Sequence, residues 1–544
     1  MVSRWTLLLL LFGGAAQAAA EIRFVDRSDE WGVGGIIGRT GNDSFPDLSY
    51  VNGSGIAVGD VDGDGRMDFY FVQGGEPNLL FLNRGDHFEE SAARYGVDDA
   101  GRGAGAIFCD LNGDHYPELL LSNFGTDRYF MNVDGERFEV QTSFTDEGMG
   151  MGMAVADFNG DGWGDVYLAR YVVWPDIVPT SGGACQWKGL PVICGPEAYR
   201  PQEDRFYQGG PNGELVSVSP APQRPFAPGR GMGVTILDID DDHRPEIYVA
   251  NDASDNFLFR NETIDVETAS PPTHWVELAL RLGCALSAHG RPEAGMGVSC
   301  GDVDGDGHDD LIVTNFDGQS HALYIWQSEG WYEERSRKHA LARTSLRRLS
   351  WGAQLADFDN DGDLDLHVVN GHLYSNADEI GDGTRWRQPD DLFVNDGAGN
   401  FQALDEGWDE VEAHSGRGSA IIDIDDDGLL DVLVWNLGGP MRLLHNESRG
   451  TGSWLRIEFE REVGMTEASL AGARASVQLD ETRIVQRLFR RGSGYLGCND
   501  PRLHFGLGRT GEQSSLLRIQ SFFGDQELEL GHGTTHTIRM GTDE

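Results

Sequence analysis

The sequence predicts an all-β protein, a seven-bladed β-propeller followed by a small C-terminal β domain, from three observations. An acidic nine-residue turn recurs seven times. Each copy sits between two strand-type runs, and a fragment near the start of the chain matches the last strand of a repeat. The copies are DVDGDGRMD from Asp60, DLNGDHYPE from Asp110, DFNGDGWGD from Asp157, DIDDDHRPE from Asp238, DVDGDGHDD from Asp302, DFDNDGDLD from Asp357 and DIDDDGLLD from Asp423, spaced 47 to 81 residues apart.

A glycine-rich apolar run precedes each turn (GIAVG, GAIFC, GMAVA, GVTIL, GVSCG, GAQLA, GSAII). A β-type run follows it (FYFVQ, LLLSN, VYLAR, IYVAN, LIVTN, LHVVN, VLVWN), so the turn joins strands A and B. Strands C and D follow, as in NLLFLN and HFEES after the first turn, with no helical periodicity between them. Four short strands per repeat of this length is the pattern of a propeller blade. The seventh copy runs through VLVWN and MRLLHN and changes character near Ser453, which leaves it without strand D. The orphan RFVDRSDEWGV (23–33) matches HFEESAARYGV (87–97) at Phe24/Phe88, Trp31/Tyr95, Gly32/Gly96 and Val33/Val97. This N-terminal strand is therefore expected to complete the last blade and remove the open edges of the ring. From about Gly452 the acidic turns stop, and WLRIEFE, ARASVQL, TRIVQRLF, LLRIQSF and QELEL read as strands of a separate domain. The expected division is a leader over 1–20, the ring over 21–450 and the C-terminal domain over 451–544.

Like charges explain what the turns are for. Two carboxylates about 5 Å apart repel by roughly 3 kcal/mol at an effective dielectric near 20, so four in one turn call for a cation. If the turn wraps an ion, positions 1, 3, 5 and 9 converge and the position-7 carbonyl adds a ligand; an all-oxygen set selects Ca²⁺ over zinc or copper. The predicted ligands are Asp60, Asp62, Asp64, the Arg66 carbonyl and Asp68 in the first copy; Asp110, Asn112, Asp114, Tyr116 (carbonyl) and Glu118 in the second; and Asp157, Asn159, Asp161, Trp163 (carbonyl) and Asp165 in the third. They continue as Asp238, Asp240, Asp242, Arg244 (carbonyl) and Glu246; Asp302, Asp304, Asp306, His308 (carbonyl) and Asp310; Asp357, Asp359, Asp361, Asp363 (carbonyl) and Asp365; and Asp423, Asp425, Asp427, Leu429 (carbonyl) and Asp431. Glycine at position 6 allows the positive φ of the sharp turn. His115 and His243 stand there in copies two and four, which are expected to be the weakest sites. Position 12 is an apolar strand residue in every copy (Phe71, Leu121, Leu168, Val249, Val313, Val368, Val434), which excludes an EF-hand. Up to seven structural calcium ions would bring the formal charge from −47 to about −33.

That charge, from 89 acidic and 42 basic residues, argues against binding nucleic acid or an anionic membrane. The start, with its apolar run Leu7 to Phe12 and small residues at Ala16 to Ala20, reads as a secretory leader. The apolar stretch is short for a membrane span, and no membrane insertion is expected. In an exported chain Cys185 and Cys194 are expected to pair, with Cys284 and Cys300 a weaker pair and Cys109 and Cys498 either free or buried, their pairing left open. Four Asn-x-Ser/Thr sequons stand at Asn42, Asn52, Asn261 and Asn446.

If the turns link strands A and B, they occupy one face of the ring, and the B-to-C and D-to-A loops occupy the other. The long insertions 171–203 and 370–391 are B-to-C loops, so they decorate the face without acidic turns. They carry Trp174, Trp187, Tyr199, Arg200, His372, Tyr374, Trp386 and Arg387, a composition that either packs the loops onto the ring or binds a partner, a protein or a glycan. No G-x-S-x-G, H-E-x-x-H or phosphate-loop motif occurs, which favours a non-catalytic scaffold. The alternative class is a propeller-based hydrolase or lyase acting on extracellular glycans.

The seven copies resemble the FG-GAP (VCBS) repeats of integrin-type propellers. ARASVQL, RRGSGYLG (490–497) and HFGLG (504–508) resemble the ASPIC/UnbV domain, and CQWKGLPVICGP is similar to an insertion of the cartilage acidic protein family. The resemblance implies a secreted or periplasmic, calcium-binding, non-catalytic protein with adhesion or matrix roles. The stretch QSFFGD (520–525) departs from the Trp-Pro-x-Gly that the family pattern implies there. HFGLG itself is expected to form a structural turn.

Overall fold

The computed structural model describes residues 20–38, 48–142, 144, 147–173, 185–218, 228–262, 274–338, 340–404, 412–462, 464–481 and 483–540. The leader expected over 1–20, apart from Ala20, together with Trp174 and Asn42, lies outside the described residues.

Blade one shows how a repeat folds. Ile56–Gly59, Asp68–Phe71, Leu79–Asn83 and Phe88–Glu90 pair in sequence order as antiparallel strands A to D. The acidic turn is the A-to-B connection. The same order recurs in the blades that begin at Gly231, Val298 and Ser350. The blades that begin at Gly103 and Glu147 share one sheet, because Glu147–Met149 also pairs with Phe124–Thr126. First strands neighbour one another in cyclic order, and the last, Gly416–Ile422, meets the first, Ile56–Gly59. In the last blade strand D comes from the N-terminus: Phe24, Val25 and Asp26 lie opposite Asn446, His445 and Leu444. Phe24 packs edge-on to Phe358 of the preceding blade, with ring centres 5.3 Å apart.

One asparagine clips successive blades together. At the end of strand C, Asn83, Asn132, Asn261, Asn395 and Asn446 each donate a side-chain N–H to the position-2 carbonyl of the preceding turn, namely Ile424, Val61, Phe158, Val303 and Phe358, at 2.7–3.0 Å. Two of these, Asn261 and Asn446, are sequon asparagines, and Asn52 is also buried. The three described sequons are thus structural positions without access for a glycan.

Four strands of the C-terminal segment form a sheet in the order Ile484–Leu488, Arg474–Gln478, Ser514–Ser521, Gly524–Gly531. A second sheet places Ser453–Arg461 between Leu503–Gly508 and the parallel strand Thr535–Met540. Leu455, Ile457, Phe505, Val477, Leu517 and Ile519 fill the space between the sheets. HFGLG is therefore strand rather than turn, with His504 buried and its Nε2 2.7 Å from Asn360 Oδ1.

The segment 490–498 leaves this domain and threads the axis of the ring. Its backbone bridges three inner strands, with Arg491 opposite Val155, Gly494 opposite Val298 and Cys498 opposite Ala57. In the first blade this contact explains the glycine that opens strand A, while in the others the first strand of the neighbouring blade leaves no room, as with the Met232 carbonyl oxygen 2.5 Å from a Cβ on Gly152 and that of Trp351 2.1 Å from one on Gly297. A Cβ on Gly55 would lie 1.6 Å from the Leu496 carbonyl oxygen, and one on Gly497 would lie 2.1 Å from that of Ile56. The narrow wall is what admits the plug.

Cys185 and Cys194 form the expected disulfide, closing the hairpin of Cys185–Trp187 and Leu190–Val192. Cys284 and Cys300 do not pair. Both are buried free thiols, as are Cys109 and Cys498. Cys284 lies after a short helix where its thiol faces the Ala279 carbonyl, while Cys300 sits in strand A beside Thr235 and Arg490.

Candidate metal centres

All seven turns fold on one hydrogen-bond pattern. The position-6 N–H donates to the position-1 carboxylate in each, from Gly65 to Asp60, His115 to Asp110, Gly162 to Asp157, His243 to Asp238, Gly307 to Asp302, Gly362 to Asp357 and Gly428 to Asp423. The position-7 N–H donates to position 5, as from Arg66 to Asp64 and His308 to Asp306. Position 9 is buried in every copy and accepts the position-2 N–H, as from Val61 to Asp68 and Leu111 to Glu118. In six copies its second oxygen takes a strand-C N–H, as from Asn395 to Asp365 and Asn446 to Asp431, and in the second that oxygen of Glu118 accepts the Asn112 amide instead. This carboxylate thus ties the turn to its blade.

Position 6 has positive φ throughout, including His115 (76°) and His243 (61°), so the histidines adopt the glycine conformation. Position 4 does the same. Gly63, Gly113, Gly160, Asp241, Gly305, Asn360 and Asp426 all have φ between 57° and 78°, and glycine, asparagine and aspartate are the residues that tolerate it.

Carboxylate oxygens converge to within 4.8 Å in Asp60/Asp62/Asp68, Asp238/Asp240/Glu246, Asp302/Asp304/Asp306 and Asp357/Asp359/Asp361. The fourth turn belongs to this set despite His243. Buried Asp62 Oδ1, Asp238 Oδ1, Asp304 Oδ1 and Asp423 Oδ1 make no hydrogen bond among the described residues. Orphaned hard oxygens beside other carboxylates are what a divalent cation would satisfy. The residues present therefore fit Ca²⁺, with positions 1, 3, 5 and 9 as the available carboxylate donors.

Side-chain donors reach the carboxylates of several turns, and the second and seventh are the clearest cases. In the second, the Asn112 amide donates to Asp114 and Glu118, both at 3.0 Å, and Arg461 Nη2 lies 2.8 Å from Asp110 Oδ2. In the seventh, His445 joins Asp425 and Asp431 in a group that could hold a metal, with Nε2 3.3 Å from Asp425 Oδ2. Burial opposes a charge there, but the Asp425 hydrogen bond and the charges of Asp431, Asp425 and Asp427 push His445 up to about 9. An imidazolium and a metal ion compete for those oxygens.

The turn motif gives no sign of His445 or of the arginines above it. The C-terminal domain sits on the acidic face. Arg456 Nη1 reaches Asp423 Oδ2 at 2.6 Å, Arg474 Nη2 reaches Asp238 Oδ2 at 3.6 Å and also pairs with Asp241, and Arg483 bonds Asp363. The signal that points to them is compositional: residues 451–544 are rich in arginine and hold no lysine.

Burial raises the position-1 carboxyls, to about 6 at Asp60, Asp238, Asp302 and Asp423, about 7 at Asp157 and about 8 at Asp357. Neighbouring carboxylates reinforce the shift, and Arg474 and Arg456 oppose it at Asp238 and Asp423. In cation-free protein these groups hold protons more tightly folded than unfolded. Between about pH 4 and the folded values, acid therefore stabilises the fold. The melting temperature of EDTA-treated protein is expected to rise as pH falls from about 8 to about 5, while that of calcium-saturated protein falls as protons displace the ion. Equal slopes in scanning fluorimetry would contradict this assignment.

On the opposite face the two insertions meet. Lys188 Nζ lies 3.1 Å from Asp382 and 3.3 Å from Thr384 Oγ1, and Asn376 Nδ2 donates to the Pro191 carbonyl. Trp187, Phe316, His372 and Tyr374 cluster beneath them with ring centres 4.6–6.3 Å apart. Several of the predicted surface aromatics thus pack the loops onto the ring.

The FG-GAP-like repeat family matches residues 60–121, 110–168 and 302–368, and the ASPIC and UnbV family matches residues 465–520. Cartilage acidic protein 1 of Mus musculus is 26% identical over 492 residues, 84% of this chain and 68% of that protein. The Homo sapiens protein is 25% identical over 84% of this chain and 67% of its own, and that of Xenopus tropicalis 25% over 85% and 69%. The chain thus carries FG-GAP-like repeats and a C-terminal ASPIC/UnbV domain, and it is similar along most of its length to cartilage acidic protein 1.

Proposed function

We propose that the protein is an exported, non-catalytic binding scaffold whose ring and C-terminal domain are held together by calcium in the acidic turns. The observation that carries this reading is the shared geometry of the turns, seven copies with one hydrogen-bond pattern, four of which hold a buried carboxylate oxygen without a partner among the described residues. The Cys185–Cys194 disulfide supports an oxidising compartment, outside the cell or in a periplasm. Among the described residues no helix is long and apolar enough to cross a membrane.

With the C-terminal domain covering the acidic face and residues 490–498 filling the axis, the face that carries loops 171–203 and 370–391 remains for a protein or glycan partner. Equilibrium dialysis against Ca²⁺ followed by metal analysis tests the reading. Retention is expected to lie between about five and seven ions per chain, the upper figure being one for each turn. Retention of less than about one ion per chain at millimolar calcium would overturn it.

A further inference from the structure

The face opposite the acidic turns contains a cavity of about 440 Å³ at the mouth of the axis. The disulfide hairpin and the strand ends of several blades enclose it. Trp187, Phe316 and Tyr374 form one wall, with the Trp187 and Tyr374 ring centres 5.4 Å apart. Trp351 forms another wall and rests edge-on against Tyr495 of the axial plug at 5.3 Å. A space of this size, mostly apolar with a few convergent polar groups, has the make-up of a ligand site.

The polar groups decide the ligand. Every charged side chain on the wall is a carboxylate, Asp252 or Glu197. The Tyr171 hydroxyl donates to Asp252 Oδ2 at 2.5 Å, which fixes that carboxylate in the cavity. Asn52 also lines it, 2% exposed, and its Nδ2 makes no hydrogen bond among the described residues. Among the described residues no arginine or lysine lines the cavity, and the hydrogen bonds of the nearby cations go to other groups, although Arg230 is close enough to favour the charged form of Asp252. Arg417 donates to the carbonyls of Val51, Gly371, Gly416 and His372, Arg230 donates to Ser254, Ala253 and Tyr199, and Lys188 binds Asp317 and Asp382. Lys188 also shows what these rings accept, since its Nζ lies 4.5 Å from the Trp187 ring centre. Aromatic faces together with the half-buried Asp252 and the exposed Glu197 at the rim attract cations and repel anions, and a net charge of −47 steers cations inward from a distance.

We propose that this cavity receives a cationic group on an apolar stem, an ammonium or a guanidinium, with Asp252 as counter-ion and the Trp187, Phe316 and Tyr374 rings as walls. The assignment rests on the reading that this face binds partners, and it names the chemistry bound. A free amine and a lysine or arginine side chain of a protein share that chemistry, and the probes below separate the two sources.

The test uses the full chain saturated with calcium, titrated by tryptophan fluorescence and calorimetry. The probes are phenethylammonium, capped lysine and capped arginine amides, a pentapeptide with a central lysine, and the uncharged 2-phenylethanol. Saturable binding of at least one cationic probe is expected, at least about tenfold tighter than 2-phenylethanol. Asp252→Asn is expected to weaken it at least about tenfold, and Trp187→Ala to do likewise. Trp187 lies on the hairpin, so this second variant keeps the test valid if Asp252→Asn does not fold. A pentapeptide that outbinds phenethylammonium supports a protein side chain as the source, and the reverse order supports a small amine. Equal affinity for the alcohol and the ammonium overturns the proposal, as does an Asp252→Asn variant that folds and binds unchanged. Absence of saturable binding by every cationic probe up to about 10 mM also overturns it. Any of these overturning results together with five to seven retained calcium ions would remove the cavity assignment and leave the scaffold reading standing.

Discussion

Removing divalent cations with EDTA is expected to lower the melting temperature by at least about 15 °C. A single site with a Kd of about 10 μM contributes about 4 kcal/mol at 10 mM calcium, and several such sites together exceed 10 kcal/mol. At 2–4 °C per kcal/mol for a domain of moderate size, and less for a larger one, that sum gives the stated shift. The structure shows why the ions would matter so much. Positions 1 and 9 are buried in or against the blades, and without cations orphaned oxygens such as Asp304 Oδ1 and Asp423 Oδ1 go uncompensated. Scanning calorimetry with and without EDTA, reversed by added calcium, decides the matter. A melt that moves by less than about 2 °C would remove calcium from the account of stability.

Arg491→Ala is expected to cost about 3–5 kcal/mol, because it leaves a buried carboxylate and several buried carbonyls without a partner. The guanidinium is 1% exposed. It donates to the carbonyls of Phe108 at 2.9 Å, Asn499 at 3.1 Å and Val58 at 3.3 Å, and it lies 3.4 Å from Glu467. Glu467 in turn accepts the Asp110 N–H, so one side chain links two blades, the axial plug and an acidic turn. Arg491→Lys keeps the charge but loses the fork of donors and is expected to fall between the two. Denaturant unfolding measures the loss, and limited proteolysis is expected to release the C-terminal domain sooner in the alanine variant. A cost below about 1 kcal/mol would mean that the plug does not lock the ring.

How far the turns were legible follows from their physics. Each is nine residues long, and its hydrogen bonds run from position 6 to 1, 7 to 5 and 2 to 9, so the whole pattern is written within the motif. The glycine that opens strand A was legible as residue type, yet its cause is tertiary: a Cβ on Gly55 would lie 1.6 Å from the Leu496 carbonyl oxygen of the plug, and one on Gly297 would lie 2.1 Å from the Trp351 carbonyl oxygen of the next blade. The missing strand D of blade seven could be read because an edge strand leaves its partner's pattern behind in the sequence, and Phe24–Asp26 carries it. By contrast, the pairing of Cys284 with Cys300 rested on proximity in sequence alone, and the blade places one thiol by a helix and the other in strand A.

Sequence by itself determined the repeat, the acidic turn with its oxygen donors, and the order of strands, because each depends on interactions between residues close along the chain. Tertiary structure alone decided that arginines of residues 451–544 stand over the turns, that residues 490–498 fill the axis, and that aromatic rings and carboxylates from separate blades enclose one cavity. Those features join groups up to several hundred residues apart. Such contacts acquire a geometry only when the ring closes, since no local hydrogen bond or periodicity encodes the distance between them.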